Sequence, residues 1–309
     1  MATLTTEWLL VLIRLNIVAG LAITIILVMR PLLRRWLGAH QVYLSWLIVP
    51  VAILGGIIPA PEGGGSVGPV EGAVVGARAW LSAGSHRWVL AAVWAAGVLI
   101  SVGVTAWRYR RFLVQERSGV AGPAIVGVVT PRLVTPADFE ARFTPEECRL
   151  VRAHERAHMD RLDARCNALI LAFQCVSWFN PLLYLAGRAV RFDQELACDA
   201  TVMTRLPTER RRYAEALLHS HHSAAASPLG CDWSSAGARL LMTRLTTLME
   251  KRPGESQCEL GDMLLACLWV LVLVTAWTAQ PPDRRVREAH TNIILLPQRL
   301  MPADRSAQG

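Results

Sequence analysis

The stretch FTPEECRLVRAHERAHMDRLD, residues 143–163, decides the fold around it, and its centre is the pattern His-Glu-x-x-His at His154, Glu155 and His158. Thr144 can cap a helix, the proline after it suits a first helical turn, and the glutamate three residues after Thr144 completes a capping box. A helix is therefore predicted to run through the motif. Because the two histidines are four residues apart, their imidazoles project from one face of that helix.

Two imidazoles on one helical face can hold a single metal ion, and neutral imidazole is a good zinc ligand. Glu155 lies one position further round the helix, where its carboxylate would contact a water beside the metal rather than the metal itself. The plainer interpretation of the same residues is a solvated helix face that is rich in charge. The choice between the two depends on a third ligand.

A catalytic zinc site needs three protein ligands and one open position. Glu195 and Asp199 are four residues apart on a predicted helix, so both can face the histidines. A mostly apolar run, 168–187, precedes them and is broken by the Asn-Pro pair at 180–181. If this run crossed a membrane once, Glu195 would lie on the far side from His158, whereas a reversal at the Asn-Pro pair returns it to the histidines. The alternatives are a surface carboxylate for Glu195 and a helix-end residue for Asp199.

These residues belong to one longer pattern along the chain. Its members are His154-Glu155-x-x-His158-x-x-Arg161-x-Asp163, then Asn167, Trp178-Phe179-Asn180-Pro181 and Glu195-x-x-Cys198-Asp199. The pattern resembles that of the integral-membrane zinc metallopeptidases typified by the beta-lactam sensor-transducers, a gluzincin-like family of antirepressor type. The resemblance implies that His154, His158 and Glu195 bind Zn²⁺, that Glu155 is the general base, and that Asp199 steadies a ligand histidine.

The resemblance also implies a function. Proteins of this family answer an extracellular signal by proteolysis in the cytoplasm, which inactivates a transcriptional repressor. We therefore expect a zinc metalloendopeptidase whose partner is a cytoplasmic protein substrate, with a DNA-binding repressor as the candidate. Two other functions stay open, a housekeeping or quality-control membrane protease and a non-catalytic zinc-binding signal transducer. A closed structural site is disfavoured, because it would need four protein ligands.

The composition indicates a membrane protein. The chain is 53% hydrophobic and has a mean hydropathy of +0.33. Only 18% of its residues are charged, whereas about a quarter of the residues of a soluble domain are charged. Four stretches have the apolar composition of a membrane-spanning helix. They are residues 8–29, 43–58, 88–107 and 263–279. The first has no small-residue cleavage site at its end, so we interpret it as an anchor rather than a signal peptide.

Basic residues predict the orientation of these spans. Arginines follow the first and third spans and are scarce between the second and third, so the positive-inside rule places residues 108–262 in the cytoplasm. The basic residues concerned are Arg30, Arg34, Arg35, Arg108, Arg110 and Arg111. The prediction is a multi-pass protein of the bacterial cytoplasmic membrane with its active site on the cytoplasmic side. Three arginines after the fourth span, at 284, 285 and 287, run against the rule.

The predicted fold is mainly α, a polytopic membrane protein with about four transmembrane helices and a zincin-like α+β metalloprotease domain inserted between helices three and four. The expected divisions are 1–111 for three spans, 112–262 for the protease, 263–279 for the fourth span and 280–309 for a short extracytoplasmic tail, with no penicillin-binding sensor domain. Within the protease we expect one or two strands in 124–134, either as an edge for substrate or packed on the motif helix. Helices are expected at 208–222 and 235–251, and a flexible loop at 59–86.

An electrophile beside the metal would polarise the scissile carbonyl. The candidates are Tyr213, His219, His221 and His222, although a solvent-exposed run at a helix end is the plainer interpretation of the histidines. The cysteines near the motif lack a Cys-x-x-Cys spacing and are interpreted as buried small hydrophobes. They are Cys148, Cys166, Cys175 and Cys198.

The formal net charge of +8 raises the question of nucleic-acid binding. Much of the excess lies beside the spans, where topology and anionic lipid explain it. The run of arginines at 210–212 could contact DNA or a repressor, but a solvated helix face is the plainer interpretation. Since no nucleic-acid motif accompanies the run, we expect the lipid bilayer and a protein substrate as partners, and no direct nucleic-acid contact.

Overall fold

The computed structural model describes residues 2–58, 69–82, 86–119, 122–220, 238–250 and 254–278, and these residues are mainly helical. The helices before the motif are α1 (Ala2–Leu37), α2 (Ala39–Ser45), α3 (Ile48–Ile57), α4 (Pro69–Ser82), α5 (His86–Arg117) and α6 (Phe139–Arg142). From the motif onward they are α7 (Pro145–Asp160), α8 (Asp163–Val176), α9 (Pro181–Arg205), α10 (Arg210–Ser220), α11 (Ala238–Met249) and α12 (Glu255–Thr278). A 3-10 turn, Pro207–Glu209, joins α9 to α10.

In the described part of the chain, four helical segments are long and apolar enough to cross a membrane. They are Leu4–Leu37, Ala39–Ile57, His86–Arg117 and Ser256–Thr278. Each contains most of one predicted span, so the four predicted spans correspond in number and order to four helical segments of sufficient length and apolar composition. All four segments begin before the predicted limits, and the first and third also end after them, because hydropathy marks only the part of a helix that suits lipid. The proposed domain limits stay predictions, and the tail 280–309 lies outside the described residues.

The predicted flexible loop at 59–86 is wrong for residues 69–82, which form α4. Alanine is the best helix former, and α4 contains several alanines. Arg78 of α4 makes two hydrogen bonds to the Glu7 carboxylate, at 2.7 and 2.9 Å, and Leu81 is buried against α1. The glycine content predicts a loop, but these contacts with residues distant in sequence stabilise a helix. The rest of the loop, 59–68 and 83–85, lies outside the described residues.

Helix α7 begins as the sequence predicts. The Glu147 amide donates to Thr144 Oγ1 at 3.3 Å, and the Thr144 amide donates to Glu147 Oε2 at 2.9 Å, which confirms the capping box. A cap of this kind stabilises a helix by about 1 kcal/mol. One face of α7 is buried, with Cys148, Val151 and both motif histidines along it.

The predicted chain reversal between the motif and Glu195 is confirmed. Helix α8 ends at Val176, and α9 starts at Pro181 with the Asn180 side chain accepting from the Leu182 amide at 3.0 Å. The Gln174 side chain of α8 donates to the Leu183 carbonyl of α9 at 3.0 Å, which ties the two helices together near the turn. The hairpin of α8 and α9 therefore carries the chain away from the motif and back to it.

The strands predicted in 124–134 are present. They are β1 (Ala124–Val126) and β2 (Arg132–Val134), which pair antiparallel with Ala124 opposite Val134. Strand β1 is buried, and its Ile125 packs with Met159 of α7, so packing on the motif helix is established for it. Within the described residues these are the only strands, and the segment between α5 and α12 is otherwise helical. The zincin-like α+β domain is therefore not confirmed.

The hydrophobic core beneath the motif joins α6, α7, α9, α10 and α11. Its members include Phe139, Leu150, Val151, Val202, Met203 and Leu217. The helices predicted at 208–222 and 235–251 correspond to α10 and α11, which both pack on this core. Because α7 and α9 share the core, the part of α7 that contains the motif lies beside the part of α9 that contains Glu195.

Candidate metal centre

The structure brings the three predicted ligands together. His154 and His158 project from α7 and Glu195 from α9, and all three are buried. Their nearest atoms are separated by 3.0 Å for the two Nε2 atoms, by 3.3 Å for His154 Nε2 and Glu195 Oε2, and by 3.5 Å for His158 Nε2 and Glu195 Oε1. Three donors of the types that bind zinc therefore converge on one point.

The spacing of these donors fits a tetrahedral ion. At the usual zinc–ligand distance of about 2.0–2.1 Å, two ligands of a tetrahedron lie about 3.3–3.4 Å apart. The observed separations of 3.0, 3.3 and 3.5 Å bracket that value. The residues present thus fit a divalent metal bound by two histidines and one glutamate.

The second nitrogen of His158 is held by Asp163, the first residue of α8. His158 Nδ1 lies 2.8 Å from Asp163 Oδ2, an arrangement in which Nδ1 donates and Nε2 keeps its lone pair for a metal. The turn that enters α8 passes through Leu162, whose φ of 59° is in the left-handed region. On the other side of the carboxylate, the Tyr43 hydroxyl of α2 donates to Asp163 Oδ1 at 2.8 Å.

The second nitrogen of His154, Nδ1, faces the Tyr213 hydroxyl and the Asp199 carboxylate. His154 Nδ1 lies 2.8 Å from the Tyr213 hydroxyl and 3.3 Å from Asp199 Oδ1. The Tyr213 hydroxyl in turn donates to Asp199 Oδ1 at 2.6 Å. Burial and the Asp199 carboxylate raise the pKa of Tyr213 well above its usual value, so the hydroxyl keeps its proton. Asp199 and the Tyr213 hydroxyl therefore both lie near the second nitrogen of His154, and the hydroxyl is the closer of the two.

Arg244 of α11 joins the two carboxylates of α9. Its Nε and Nη2 donate to Asp199 at 2.8 and 2.7 Å, and its Nη1 lies 3.0 Å from Glu195 Oε2. Only 1% of this side chain is exposed. Burial opposes the charge on Asp199, but Arg244 and His154 outweigh it and lower the pKa of Asp199 to about 2. The same guanidinium, with both histidines, holds the pKa of Glu195 well below its usual range against the effect of burial.

Glu155 is fully buried on α7, next to His154 in the chain. Its burial excludes the solvated helix face that was the plainer interpretation of the motif. Its role as general base stays a prediction.

The candidate electrophiles have different positions. Tyr213 contacts His154 at Nδ1, the nitrogen opposite the one that faces Glu195, so its place suits orientation of the ring rather than contact with a scissile carbonyl. His219 is mostly exposed and its Nδ1 lies 2.7 Å from Glu147 Oε1, at the start of α7. His221 and His222 lie outside the described residues.

The cysteines near the motif are buried except Cys166, which is half-buried. Cys198 is more than a small hydrophobe, because its Sγ lies 3.2 Å from His158 Nδ1 and 3.6 Å from Asp163 Oδ2. Burial raises the pKa of the Cys198 thiol to about 12, which keeps it protonated. A protonated thiol is a poor metal ligand, so we interpret Cys198 as a weak donor to Asp163.

Sequence reasoning missed Arg244, Tyr43 and the contact that Asp163 makes. Arg244 lies on the apolar face of α11, four residues after Leu240 and four before Leu248. A charge on an apolar helix face needs a buried partner, so this pattern could have identified it. Tyr43 had no comparable signal, because its partner is 120 residues away and in another helix.

The described part of the chain combines helices of membrane-spanning length with a buried His-Glu-x-x-His helix and a glutamate that returns to it, which is the architecture expected of an integral-membrane metallopeptidase. The chain belongs to the family described as BlaR1 peptidase M56, whose family model matches residues 78–248. The match includes α7, α9 and all the residues of the candidate metal centre except Tyr43.

Two relatives are similar over parts of the chain. Regulatory protein BlaR1 from Bacillus licheniformis is 26% identical over 146 residues, which is 46% of this chain and 24% of that protein. The methicillin resistance mecR1 protein from Staphylococcus aureus is 28% identical over 110 residues, which is 35% of this chain and 19% of that protein. The matched part thus spans a quarter or less of each relative.

Changing Asp163 to Asn is expected to weaken zinc binding about 10- to 100-fold, because the carboxylate orients His158 and raises its basicity. A competition titration with a zinc chelator on the purified full chain measures this. Asp160→Asn is the matched control, since Asp160 makes only a surface ion pair with Arg205, at 2.9 Å and about half exposed. Equal affinities in the two variants would contradict the role of Asp163.

Proposed function

We propose that this chain is a membrane-embedded zinc metalloendopeptidase that hydrolyses peptide bonds in a cytoplasmic protein. The observation that carries the proposal is the convergence of His154, His158 and Glu195 at separations that suit one tetrahedral ion. Three protein ligands leave a fourth position open, as a catalytic site requires. Glu155, buried on the same helix, supplies the acid–base group that a structural site does not need.

The chemistry divides between the metal and the chain. When bound, zinc supplies a Lewis acid that polarises a peptide carbonyl and makes a water molecule more acidic. Glu155 takes the proton of the attacking water and later delivers it to the leaving nitrogen. Asp163 and the Tyr213–Asp199 pair hold the two imidazoles in the tautomer that presents Nε2.

Contacts with α1 support a site on the cytoplasmic side. Arg30, near the end of the first span, donates from Nε and Nη2 to Asp193 at 2.7 and 2.8 Å, and Arg34 donates to the same carboxylate at 2.8 Å. Asp193 is two residues before Glu195, so the metal centre is near the basic end of α1. Basic residues flanking a span favour the cytoplasmic side, which in a bacterium means the inner face of the cytoplasmic membrane.

The proposed role is regulated proteolysis of a transcriptional repressor during signal transduction, which makes the protein an antirepressor. The name of one relative, regulatory protein BlaR1, and the family membership support this role. A housekeeping protease would share the same metal centre, so the two functions differ in substrate and not in chemistry.

Cleavage of two substrates separates these functions. The full chain, reconstituted in lipid bilayers, is incubated with casein and with a purified repressor encoded beside its gene, before and after treatment with a zinc chelator. We expect the repressor to be cut at one or a few sites, casein to be cut poorly, and activity to disappear with the chelator and return with added zinc. Casein cut as fast as the repressor would favour the housekeeping function, and cleavage that resists the chelator would contradict the zinc peptidase.

A further inference from the structure

The hairpin of α8 and α9 exposes apolar side chains around its turn. Those with the largest exposed fractions there are Leu169, Val176, Phe179, Tyr184 and Leu185. Neither helix is among the candidate spans, because α8 is only 14 residues long and α9 becomes charged after its first two turns. A contiguous exposed apolar surface in a protein marks a site of interaction.

Contacts with α5 place this turn at the level of a membrane span. The Trp178 indole covers Gly97, where any side chain would overlap the ring. Trp178 also donates to the Trp94 carbonyl at 3.3 Å. Gly97 is eleven residues before Arg108, where the basic end of the span begins. At 1.5 Å per residue this is about 16 Å, roughly half of a hydrocarbon core of about 30 Å.

Contacts with α1 give the same depth independently. The Leu182 side chain lies against Gly20, where a Cβ atom would approach its Cδ1 to 3.3 Å. Ten residues further along α1, Arg30 binds Asp193, which is eleven residues further along α9. Both intervals measure about 15–17 Å along a helix. Helix α9 therefore runs beside α1 from the middle of the first span to its basic end.

Several polar groups of the turn have partners within the protein. The Trp94 indole donates to the Val176 carbonyl at 2.9 Å, and the Tyr184 hydroxyl donates to the Trp178 carbonyl at 3.3 Å. At the start of α9, the Asn180 side chain accepts a hydrogen bond from the Leu182 amide, and the Gln174 side chain donates one to the Leu183 carbonyl. Backbone groups within a bilayer must be satisfied by the protein itself. Side chains from the hairpin and from α5 meet this requirement for the Val176, Trp178 and Leu183 carbonyls and for the Leu182 amide.

From these observations we infer that the α8–α9 hairpin is a re-entrant membrane element. It enters the hydrocarbon core from the side of the metal centre, turns near the bilayer midplane at residues 177–180, and leaves on the same side. Lipid acyl chains are the partner of its exposed apolar face. His158 and Glu195, near the outer ends of the hairpin, then lie at the membrane surface, so a substrate must reach the site at the lipid interface.

Photoactivatable phospholipids test the inference on the unaltered full chain. The protein is reconstituted in bilayers that contain a diazirine either at the acyl-chain terminus or in the head group, and adducts are mapped by mass spectrometry. Leu99 of α5, 73% exposed, is the positive control within each sample, and Val129 in the β1–β2 turn, 80% exposed, is the negative control. The labelling depends on neither metal nor cleavage, so it stands apart from the proposed function.

We expect the acyl-terminal probe to label Phe179 and Leu185 as strongly as Leu99 and at least about tenfold more than Val129, since only residues in the core meet the chain ends. Labelling of the hairpin by the head-group probe alone would show that it lies on the membrane surface and would overturn the inference. So would labelling by both probes at the level of Val129.

Discussion

Replacement of Glu155 by Gln is expected to abolish peptide cleavage and leave the metal content unchanged. The amide has the shape of the carboxylate but cannot take a proton from water, and Glu155 is not one of the three converging donors. Loss of a general base lowers a rate by about 10²- to 10⁴-fold. The initial rate of repressor cleavage and the zinc content per chain, both measured on the full chain in bilayers, check the prediction.

The control for this variant is Glu146→Gln, because Glu146 is on the same helix but exposed. It is expected to cleave at the rate of the unchanged protein. A Glu155→Gln protein that cleaves at this rate would refute the base role. A Glu155→Gln protein that has lost its zinc would instead show that Glu155 takes part in binding the metal.

Arg244→Met is expected to destabilise the metal-free protein by about 3–5 kcal/mol, the usual cost of breaking a buried ion pair from one side. Methionine fills much of the same volume, but it leaves Asp199 and Glu195 buried without their common counterion. Bound zinc should recover part of the loss, since its charge is adjacent to Glu195. Denaturant unfolding of the full chain in detergent, with and without zinc, measures both effects.

Two further variants sharpen this test. Arg149→Met removes a surface pair with Glu209, and about half of that arginine is exposed, so its effect should be below about 1 kcal/mol. Adding Asp199→Asn to Arg244→Met should recover stability, because one of the stranded charges disappears. A double variant no more stable than Arg244→Met would show that the arginine contributes through packing and not through its charge.

The metal centre was predictable where its signals are local. The cap at Thr144 and the spacing of His154 and His158 depend only on neighbouring residues, and both are present as expected. The return of Glu195 could be predicted because Asn180 and Pro181 are a strong turn signal within an apolar run. Together these features predict the three donors that converge in the structure.

The groups that support the ligands come from elements far away in the sequence, so their contacts cannot be predicted from the spacing of neighbouring residues. Tyr43 reaches Asp163 from the second span, and Arg244 reaches Asp199 from a helix 45 residues further on. The α+β prediction for the inserted segment is not confirmed, because the described residues form only two short strands. Strand signals in 124–134 were real but short, with Gly127 at a φ of 97° ending the first strand after three residues.

The most direct test of a site made by α7 and α9 is the zinc content of the purified full chain before and after Glu195→Ala. The account predicts about one zinc per chain for the unchanged protein and nearly none for the variant at the same free zinc concentration, because two histidines alone hold the ion weakly. Full zinc occupancy in Glu195→Ala would contradict the assignment of Glu195 as the third ligand.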